Sequence, residues 1–118
     1  MCGERHMKQI VAYIRPKKLS VVTLALQKVV DLPGMSFSEV RGFGRDRMPK
    51  TEEVVQDLVD YVHYVRIEVL CDDDQVFEIT WTIEKAVRTG RDGDGKIYVL
   101  DVARAIHIQN GATMEAIA

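Results

Sequence analysis

The chain has 118 residues, of which 47% are hydrophobic and 29% charged, and its formal net charge at pH 7 is −2. This length suits one globular domain, and the composition is far from that of a disordered segment. A slightly acidic chain lacks the basic surface that nucleic-acid binding needs, so we expect no nucleic-acid partner.

The expected location of the protein is cytoplasmic. No apolar run approaches the roughly 20 residues that cross a bilayer, and the N-terminus lacks a signal-peptide core. We therefore expect that this protein is not an integral membrane protein. The two cysteines, Cys2 and Cys71, show no metal or redox spacing and are predicted to be free thiols in a reducing compartment.

The first half of the chain shows alternating strand and helix signals after a polar tail over residues 1–6. Lys8–Ile14 is short and rich in β-branched residues, which predicts a buried strand that Pro16 ends. Lys17–Val30 carries apolar residues at helical spacing and predicts an amphipathic helix. Met35–Val40 alternates apolar and polar residues, as a half-buried strand does.

A long connection follows over residues 46–60, where this periodicity is lost. Long connections in compact domains tend to be functional or mobile, so we interpret this segment as a regulatory loop. The alternative is a short surface helix that begins at Thr51, with Val54 and Leu58 towards the core.

The second half of the chain repeats the pattern. Tyr61–Cys71 predicts a long strand and Gln75–Thr89 a second amphipathic helix. Asp72-Asp73-Asp74 between them is interpreted as an acidic helix start rather than a calcium loop, because EF-hand ligand spacing is missing. Lys96–Val102 predicts a further strand and Ala105–Gln109 a short final one.

This order of elements predicts an α+β fold. It is the ferredoxin-like βαββαβ arrangement, with the long loop between strands 2 and 3 and a short C-terminal strand, in one domain over residues 1–118. Two helices cover only one face of such a sheet, so we expect self-association to cover the other.

Two glycine segments carry the chemistry that the sequence suggests. Gly42-Phe43-Gly44-Arg45 leaves a strand, and residues 89–96 (TGRDGDGK) connect a helix to a strand. Glycines let backbone N–H groups approach an anion closely, and an adjacent Lys or Arg neutralises its charge, which favours phosphate binding. Neither segment has the strand–glycine–helix order of a P-loop, and each taken alone is also compatible with a plain turn.

Together these segments resemble the PII signal-transduction family over residue 10 to about residue 111. The stretches that carry the resemblance are Ile14-Arg15-Pro16-Lys17-Lys18-Leu19, Glu39-Val40-Arg41-Gly42-Phe43-Gly44-Arg45, Val65-Arg66-Ile67-Glu68-Val69, Thr89-Gly90 through Gly93-Asp94-Gly95-Lys96-Ile97, and Val102-Ala103-Arg104-Ala105-Ile106.

The resemblance implies a homotrimer with an adenine nucleotide (ADP, AMP or ATP) in each cleft between subunits, and Mg²⁺ as a candidate second ligand. It also implies which residues bind the nucleotide: Ser36, Ser38, Glu68 and Leu70 near the adenine, Gly44, Arg45, Gly93, Asp94, Gly95 and Lys96 near the phosphates, and in addition Gly42 and Phe43.

Several positions depart from the family pattern. Two arginines that grip the outer phosphates in the family correspond to His107 and Gln109, so we expect a weaker grip on a triphosphate and a relative gain for ADP or AMP. In the effector or cation site, Asp46 replaces a glutamine and Tyr64 replaces a lysine, which makes ordinary 2-oxoglutarate sensing doubtful. The long loop also lacks the tyrosine motif that is uridylylated in the family.

The resulting prediction is a regulatory protein that is not an enzyme. It would control a membrane transporter or a metabolic enzyme through the 46–60 loop. The alternatives are a divergent PII-like sensor of another small ligand, such as bicarbonate or a metal ion with nucleotide as co-ligand, and a 2-oxoglutarate-responsive nitrogen regulator. The sequence shows no nucleophile–base pair for catalysis.

Overall fold

The structure is a computed structural model that describes residues 6–42, 61–91 and 93–114. The described residues form four strands and two α-helices, and a short 3₁₀ turn precedes each helix. The strands are β1 (Met7–Ile14), β2 (Ser36–Gly42), β3 (Val62–Asp72) and β4 (Gly95–Val102); the helices are α1 (Leu19–Gln27) and α2 (Val76–Val87), preceded by Pro16–Lys18 and Asp73–Gln75.

The strands form one antiparallel sheet in the order β2-β3-β1-β4. In this register Ile10 of β1 lies between Val69 of β3 and Val99 of β4. Both helices pack on one face of the sheet and bury a continuous apolar core, which supplies the main stabilisation of the fold. The predicted α+β order of four strands and two helices is confirmed.

Helix α1 is shorter than the sequence pattern predicts, because it ends at Gln27 rather than Val30. Val29 still packs against the core, whereas Val30 is exposed. Asp31 has a φ of 58°, which is outside the helical region, and Pro33 disfavours helical backbone in the residue before it. The apolar pattern therefore continues for one turn beyond the helix itself.

The acidic segment before α2 acts as a helix start, as the sequence predicts. Asp72 and Gln75 form a capping box, in which the Asp72 backbone N–H donates to Gln75 Oε1 at 3.1 Å. Gln75 Nε2 also donates to the carbonyl oxygen of Asp31 at 2.9 Å, which ties this start to the turn after α1. Among the described residues no cluster of His, Cys, Asp and Glu is placed to hold a metal ion.

The predicted C-terminal strand over Ala105–Gln109 is wrong. Residues 108–110 form a turn, and Ile106 makes only a single bridge, with Thr113. Asn110 Oδ1 accepts the Ala112 N–H at 2.8 Å, which reverses the chain as Asn does in turns. The apolar residues of this segment thus belong to a short hairpin, in which Ile108 is fully exposed.

The second face of the sheet, which we call the bare face, carries no helix among the described residues. Tyr98 and Leu100 of β4 point to this face and remain about half exposed. Tyr13 lies beside Tyr98 with an edge-to-face contact and a ring-centroid distance of 6.3 Å. The part of the chain that the structure describes contains no helix that is long and apolar enough to span a membrane.

Candidate functional site

The loop between α2 and β4, which we call the glycine loop (residues 89–95), is closed by one side chain. The Asp94 carboxylate accepts hydrogen bonds from the Thr89 hydroxyl at 2.5 Å, the Thr89 N–H at 2.7 Å and the Gly90 N–H at 2.9 Å. The Arg91 N–H donates to the Thr89 hydroxyl oxygen at 3.2 Å. These bonds, with the Thr89 hydroxyl bond the largest cause, lower the pKa of Asp94 to about 2, so the carboxylate is ionised near neutral pH.

A second contact holds the same loop against the end of β1. Arg15 Nε donates to the carbonyl oxygen of Gly93 at 2.8 Å. Gly93 has a φ of 86°, and a Cβ there would lie 2.9 Å from Arg15 Nη2. Glycine at this position therefore allows both the left-handed backbone and the close approach of the guanidinium.

Gly95 is required by the backbone of the neighbouring strand. Its φ is 122°, and a Cβ there would lie 2.0 Å from the Tyr13 carbonyl oxygen, which belongs to β1. Any side chain would push β4 away from β1 at the point where the two strands begin to pair. Gly90 is different, because nothing lies within 4 Å of a Cβ at that position.

Two surface pockets flank the glycine loop. One, of about 330 Å³, is lined by Glu84 and Arg88, which form an ion pair, together with Asp94 and Lys96. The other pocket, of about 580 Å³, is lined by the following residues: Arg15, Pro16, Lys17, Tyr61, Val62, His63, Tyr64 and Gly93. We call the larger one the cationic pocket, because Arg15 and Lys17 are its charged residues at neutral pH.

The cationic pocket contains one residue that the sequence predicts for an effector site and two that it misses. Tyr64 lines the pocket, and its effector role stays a prediction, whereas the sequence assigns no role to Arg15 and Lys17. Their position directly after a buried strand was the available signal, because polar residues at strand ends often line sites. Asp46 lies outside the described residues.

The residues predicted to contact adenine lie together on the bare face, at the β2 edge. Ser36 pairs with Glu68 across β2 and β3, and Leu70 follows on β3. Glu68 Oε2 accepts a hydrogen bond from Gln9 Nε2 at 3.1 Å, and its other oxygen pairs with Arg66. The structure thus brings Ser36, Ser38, Glu68 and Leu70 onto one surface.

This group and the glycine loop lie at opposite edges of the sheet. Ser38, Arg66, Tyr13 and Lys96 occupy one row across all four strands. Three gaps of roughly 4.8 Å separate Ser38 from Lys96, which gives about 14 Å between their backbones. A single chain therefore does not close these residues around one small ligand.

The remaining predicted nucleotide residues are not brought to the loop within the described part of the chain. His107 and Gln109 are exposed in the C-terminal hairpin, which leaves the end of β4 opposite to the glycine loop. Gly42 ends β2. Phe43, Gly44 and Arg45 lie outside the described residues, as do the 46–60 loop and the alternative helix from Thr51.

Comparison with known proteins agrees with this architecture. Residues 7–112 match the family model described as nitrogen regulatory protein P-II. The chain is 41% identical over 111 residues to nitrogen regulatory protein P-II 1 of Escherichia coli strain K12, covering 93% of this chain and 98% of that protein. It is also 41% identical over 106 residues to nitrogen regulatory protein P-II of Bradyrhizobium diazoefficiens, covering 89% and 94%.

The fold matches a solved structure of the same kind. The crystal structure of Arabidopsis thaliana PII bound to citrate superposes with a TM-score of 0.72 at 32% sequence identity, covering 98% of this chain and 94% of that one. Family model, sequence relatives and solved structure thus agree over nearly the whole length. The chain therefore belongs to the nitrogen regulatory protein P-II family, whose members are regulatory signal transducers and not enzymes.

Proposed function

We propose that this nitrogen regulatory signalling protein binds adenine nucleotides in clefts between the subunits of a homotrimer and controls a target protein through its 46–60 loop. The observation that carries the proposal is the arrangement of the site: adenine-side residues at one sheet edge and the glycine loop with Lys96 at the other. Two neighbouring subunits, each offering one edge, would complete the cleft that one subunit leaves open.

The glycine loop supports phosphate binding by its local chemistry. Asp94 holds its backbone from within, Arg15 holds it against the end of β1, and Gly93 and Gly95 keep side chains away from it. Lys96 follows immediately and is exposed, so its ammonium group is available to neutralise a phosphate. Backbone N–H groups beside a lysine are a recurrent phosphate site.

The bare face supports the homotrimer. Tyr98 and Leu100 expose apolar surface beside Val11 and Tyr13, and a subunit of this size gains by covering such a surface. In a cyclic trimer two different surfaces of neighbouring subunits meet, and we propose that these include the β4 edge of one subunit and the β2 edge of the next. The proposed site and the proposed assembly therefore depend on each other.

The affinity of the protein should shift in favour of nucleotides that carry fewer phosphates. His107 and Gln109 lack the permanent charge of arginine. Each charge-assisted contact that is absent removes about 1.5–3 kcal/mol of binding free energy. An outer phosphate depends on such contacts more than an inner one. ADP or AMP should therefore rival ATP, with Mg²⁺ contributing most for ATP.

A second candidate function is a sensor of a small anion, with nucleotide as co-ligand. The cationic pocket favours it, because Arg15 and Lys17 line the pocket and none of the described residues that line it is a carboxylate. This composition suits an anion such as bicarbonate better than a metal ion. Tyr64 stands where the family carries a lysine, so 2-oxoglutarate would find one charge fewer.

Titration calorimetry with AMP, ADP and ATP, each with and without Mg²⁺, 2-oxoglutarate and bicarbonate, tests both candidates. We expect micromolar or tighter ADP binding that Lys96→Ala and Arg45→Ala each weaken about tenfold. Lys28→Ala, an exposed lysine at the end of α1, is the matched control and should change nothing. Unchanged ADP affinity in both Lys96→Ala and Arg45→Ala would overturn the assignment of the nucleotide cleft.

The same titration separates the effectors. Bicarbonate that tightens ADP binding, while 2-oxoglutarate does not, would favour the anion sensor. ATP binding that 2-oxoglutarate strengthens would restore the 2-oxoglutarate-responsive regulator. The transporter or metabolic enzyme that the protein controls would then be sought with the nucleotide state that this experiment identifies.

A further inference from the structure

Asp94 presents an electrostatic problem within the proposed phosphate site. A carboxylate in a phosphate-binding loop repels the ligand, and the bonds from Thr89 and Gly90 keep the pKa of Asp94 near 2, so the charge is present. Both carboxylate oxygens are, however, already engaged by donors of the loop. The side chain is turned into the loop and serves its conformation.

We propose that Asp94 is a positioning residue, which closes the ring from Thr89 to Asp94 and thereby fixes the following backbone, from Gly93 to Lys96, in the arrangement that receives phosphate. This inference rests on the proposed nucleotide function. The residue itself touches no ligand; it acts through the backbone of its neighbours.

Three observations support this role. The two oxygens of one carboxylate join residues that are four and five positions apart, so they fix both ends of the loop. Arg15 Nε binds the carbonyl oxygen of Gly93, the residue before Asp94, and anchors the ring to the end of β1. The Thr89 hydroxyl donates to Asp94 and accepts from the Arg91 N–H, so it extends the same network.

The glycine content of the loop explains why a positioning residue is needed to hold its backbone. Gly90, Gly93 and Gly95 all have positive φ values, and glycine-rich backbone loses more conformational entropy than any other when it is ordered. If the ligand had to order the loop itself, that cost would reduce its affinity. A loop that is already ordered avoids the cost.

A substitution can separate the positioning of the loop by Asp94 from the repulsion between its negative charge and the phosphate. Asp94→Asn keeps the shape of the side chain and removes its negative charge. If Asp94 acted only through its charge, ADP would bind more tightly to this variant. If Asp94 positions the loop, ADP should bind more weakly, on the order of fivefold for Asp94→Asn and tenfold for Asp94→Ala.

The experiment compares these variants with Asp101→Ala. Asp101 is an exposed acid of β4 that pairs with Lys8, and its replacement changes the net charge equally without touching the loop. Calorimetry with ADP and with adenosine is run on each protein. We expect ADP affinity to fall in the Asp94 variants only, with adenosine affinity within twofold of the parent, because adenosine has no phosphate.

Thr89 provides an independent pair of variants. Thr89→Ser keeps the hydroxyl that bonds Asp94, and Thr89→Val keeps the shape and loses it. The serine variant should bind ADP like the parent, and the valine variant should resemble Asp94→Ala. Loss of ADP affinity in both, or equal loss of adenosine and ADP affinity in the Asp94 variants, would overturn the positioning role.

Amide hydrogen exchange on the nucleotide-free protein makes the test independent of the proposed function. The Thr89 and Gly90 amides should exchange faster in Asp94→Ala and at the parent rate in Asp101→Ala. A parent protein that binds no adenine nucleotide would overturn the proposed function and the phosphate part of this inference, while the exchange rates would still report whether Asp94 orders the loop. Tighter ADP binding by Asp94→Asn would overturn the positioning role and leave the proposed function standing.

Discussion

The two faces of the four-stranded sheet are built from alternate residues of the same strands, yet they end in different environments. On the face covered by helices, Ile10 and Ile67 are 0% exposed and Val69 is 1% exposed. On the bare face, Tyr98 and Leu100 are equally apolar but remain 48% and 44% exposed. The contrast does not come from residue type, because both sets are large hydrophobic side chains. It also depends on the strand, because Val99 of the edge strand β4 is 47% exposed on the covered face, whereas Val11 of the central strand β1 is 4% exposed on the bare face.

The difference shows where this chain completes its own fold and where the proposed homotrimer would cover it. The helices α1 and α2 of the same chain cover one face and form the core with it. The other presents exposed apolar residues on the edge strand β4 and a polar pair, Arg66 and Glu68, on β3 next to the β2 edge. Such a surface suits association with a like subunit better than contact with water.

The largest expected effect is loss of assembly when the bare face is made charged. Leu100→Glu would bury a carboxylate in the proposed interface, which is costly without a partner, so we expect a trimer to become monomeric. Sedimentation velocity over a range of concentrations measures it. Phe77→Glu, on the exposed side of α2, is the matched control and should remain trimeric. A trimeric Leu100→Glu protein would show that the bare face is not the interface.

The covered face should dominate the stability of the subunit itself. Ile67→Ala leaves a cavity in the core and should reduce the free energy of unfolding by about 2–5 kcal/mol. Leu24→Ala, on the exposed side of α1, should change it by less than about 0.5 kcal/mol. Urea unfolding at one protein concentration measures both, because assembly adds a concentration-dependent contribution. Similar losses for the two variants would contradict the dominant contribution of the covered face to stability.

The two faces stay distinct only while β4 pairs closely with β1, which depends on Gly95. Gly95→Ala combines a strained backbone with a clash against the Tyr13 carbonyl oxygen, so we expect a loss of about 2–4 kcal/mol in unfolding free energy. Gly90→Ala has the same kind of strained φ, but its Cβ would meet no neighbouring atom. It should therefore lose only about 1–2 kcal/mol of unfolding free energy. Thermal unfolding of both proteins provides the comparison, and a reversed order would argue against the close approach of β4.

The smallest effect concerns reactivity rather than stability. Burial is the largest cause that raises the pKa of the Cys71 thiol from 9.0 to about 11, so at pH 8 its thiolate fraction is about 100-fold below that of an ordinary cysteine. Alkylation of the Cys2→Ser protein by iodoacetamide should be slowed at least as much, and should proceed normally in urea. Rapid alkylation of the folded protein would show that the covered face opens.

The same shift has a consequence for stability at high pH. Because the pKa of Cys71 is raised in the folded state, its contribution is fully present below pH 9 and is lost as the pH rises towards 11. Unfolding measured across this range in the parent and in Cys71→Ala should therefore show a decline that the alanine variant lacks.

Local patterns in the sequence were sufficient for most of the fold. Alternation in residues 35–40 and 61–71, and helical spacing in 75–89, correctly predict β2, β3 and α2 within a few residues. The same alternation failed at 105–109, because Asn110 turns the chain back and leaves Ile108 without a surface to cover. A period of two describes an extended segment, but only a partner strand makes it part of a sheet.

The candidate site was less predictable than the fold. The glycines of residues 90–95 predict a loop that receives an anion, and the resemblance implies that Asp94 contacts the nucleotide, which stays a prediction. Its actual bonds to Thr89 and Gly90 depend on the path of the loop backbone. The bond from Arg15 to Gly93 joins residues 78 positions apart, and no local pattern indicates it.

The sequence by itself determined the kind and order of the four strands and two helices, the helix start at Asp72 and the absence of arginine at His107 and Gln109. Only the tertiary structure decided the strand order β2-β3-β1-β4, which places Ser36 and Lys96 at opposite edges, and the inward turn of Asp94. The physical reason is range: periodicity and capping involve residues a few positions apart, whereas strand pairing and loop closure depend on contacts between distant segments that only the packed core brings together.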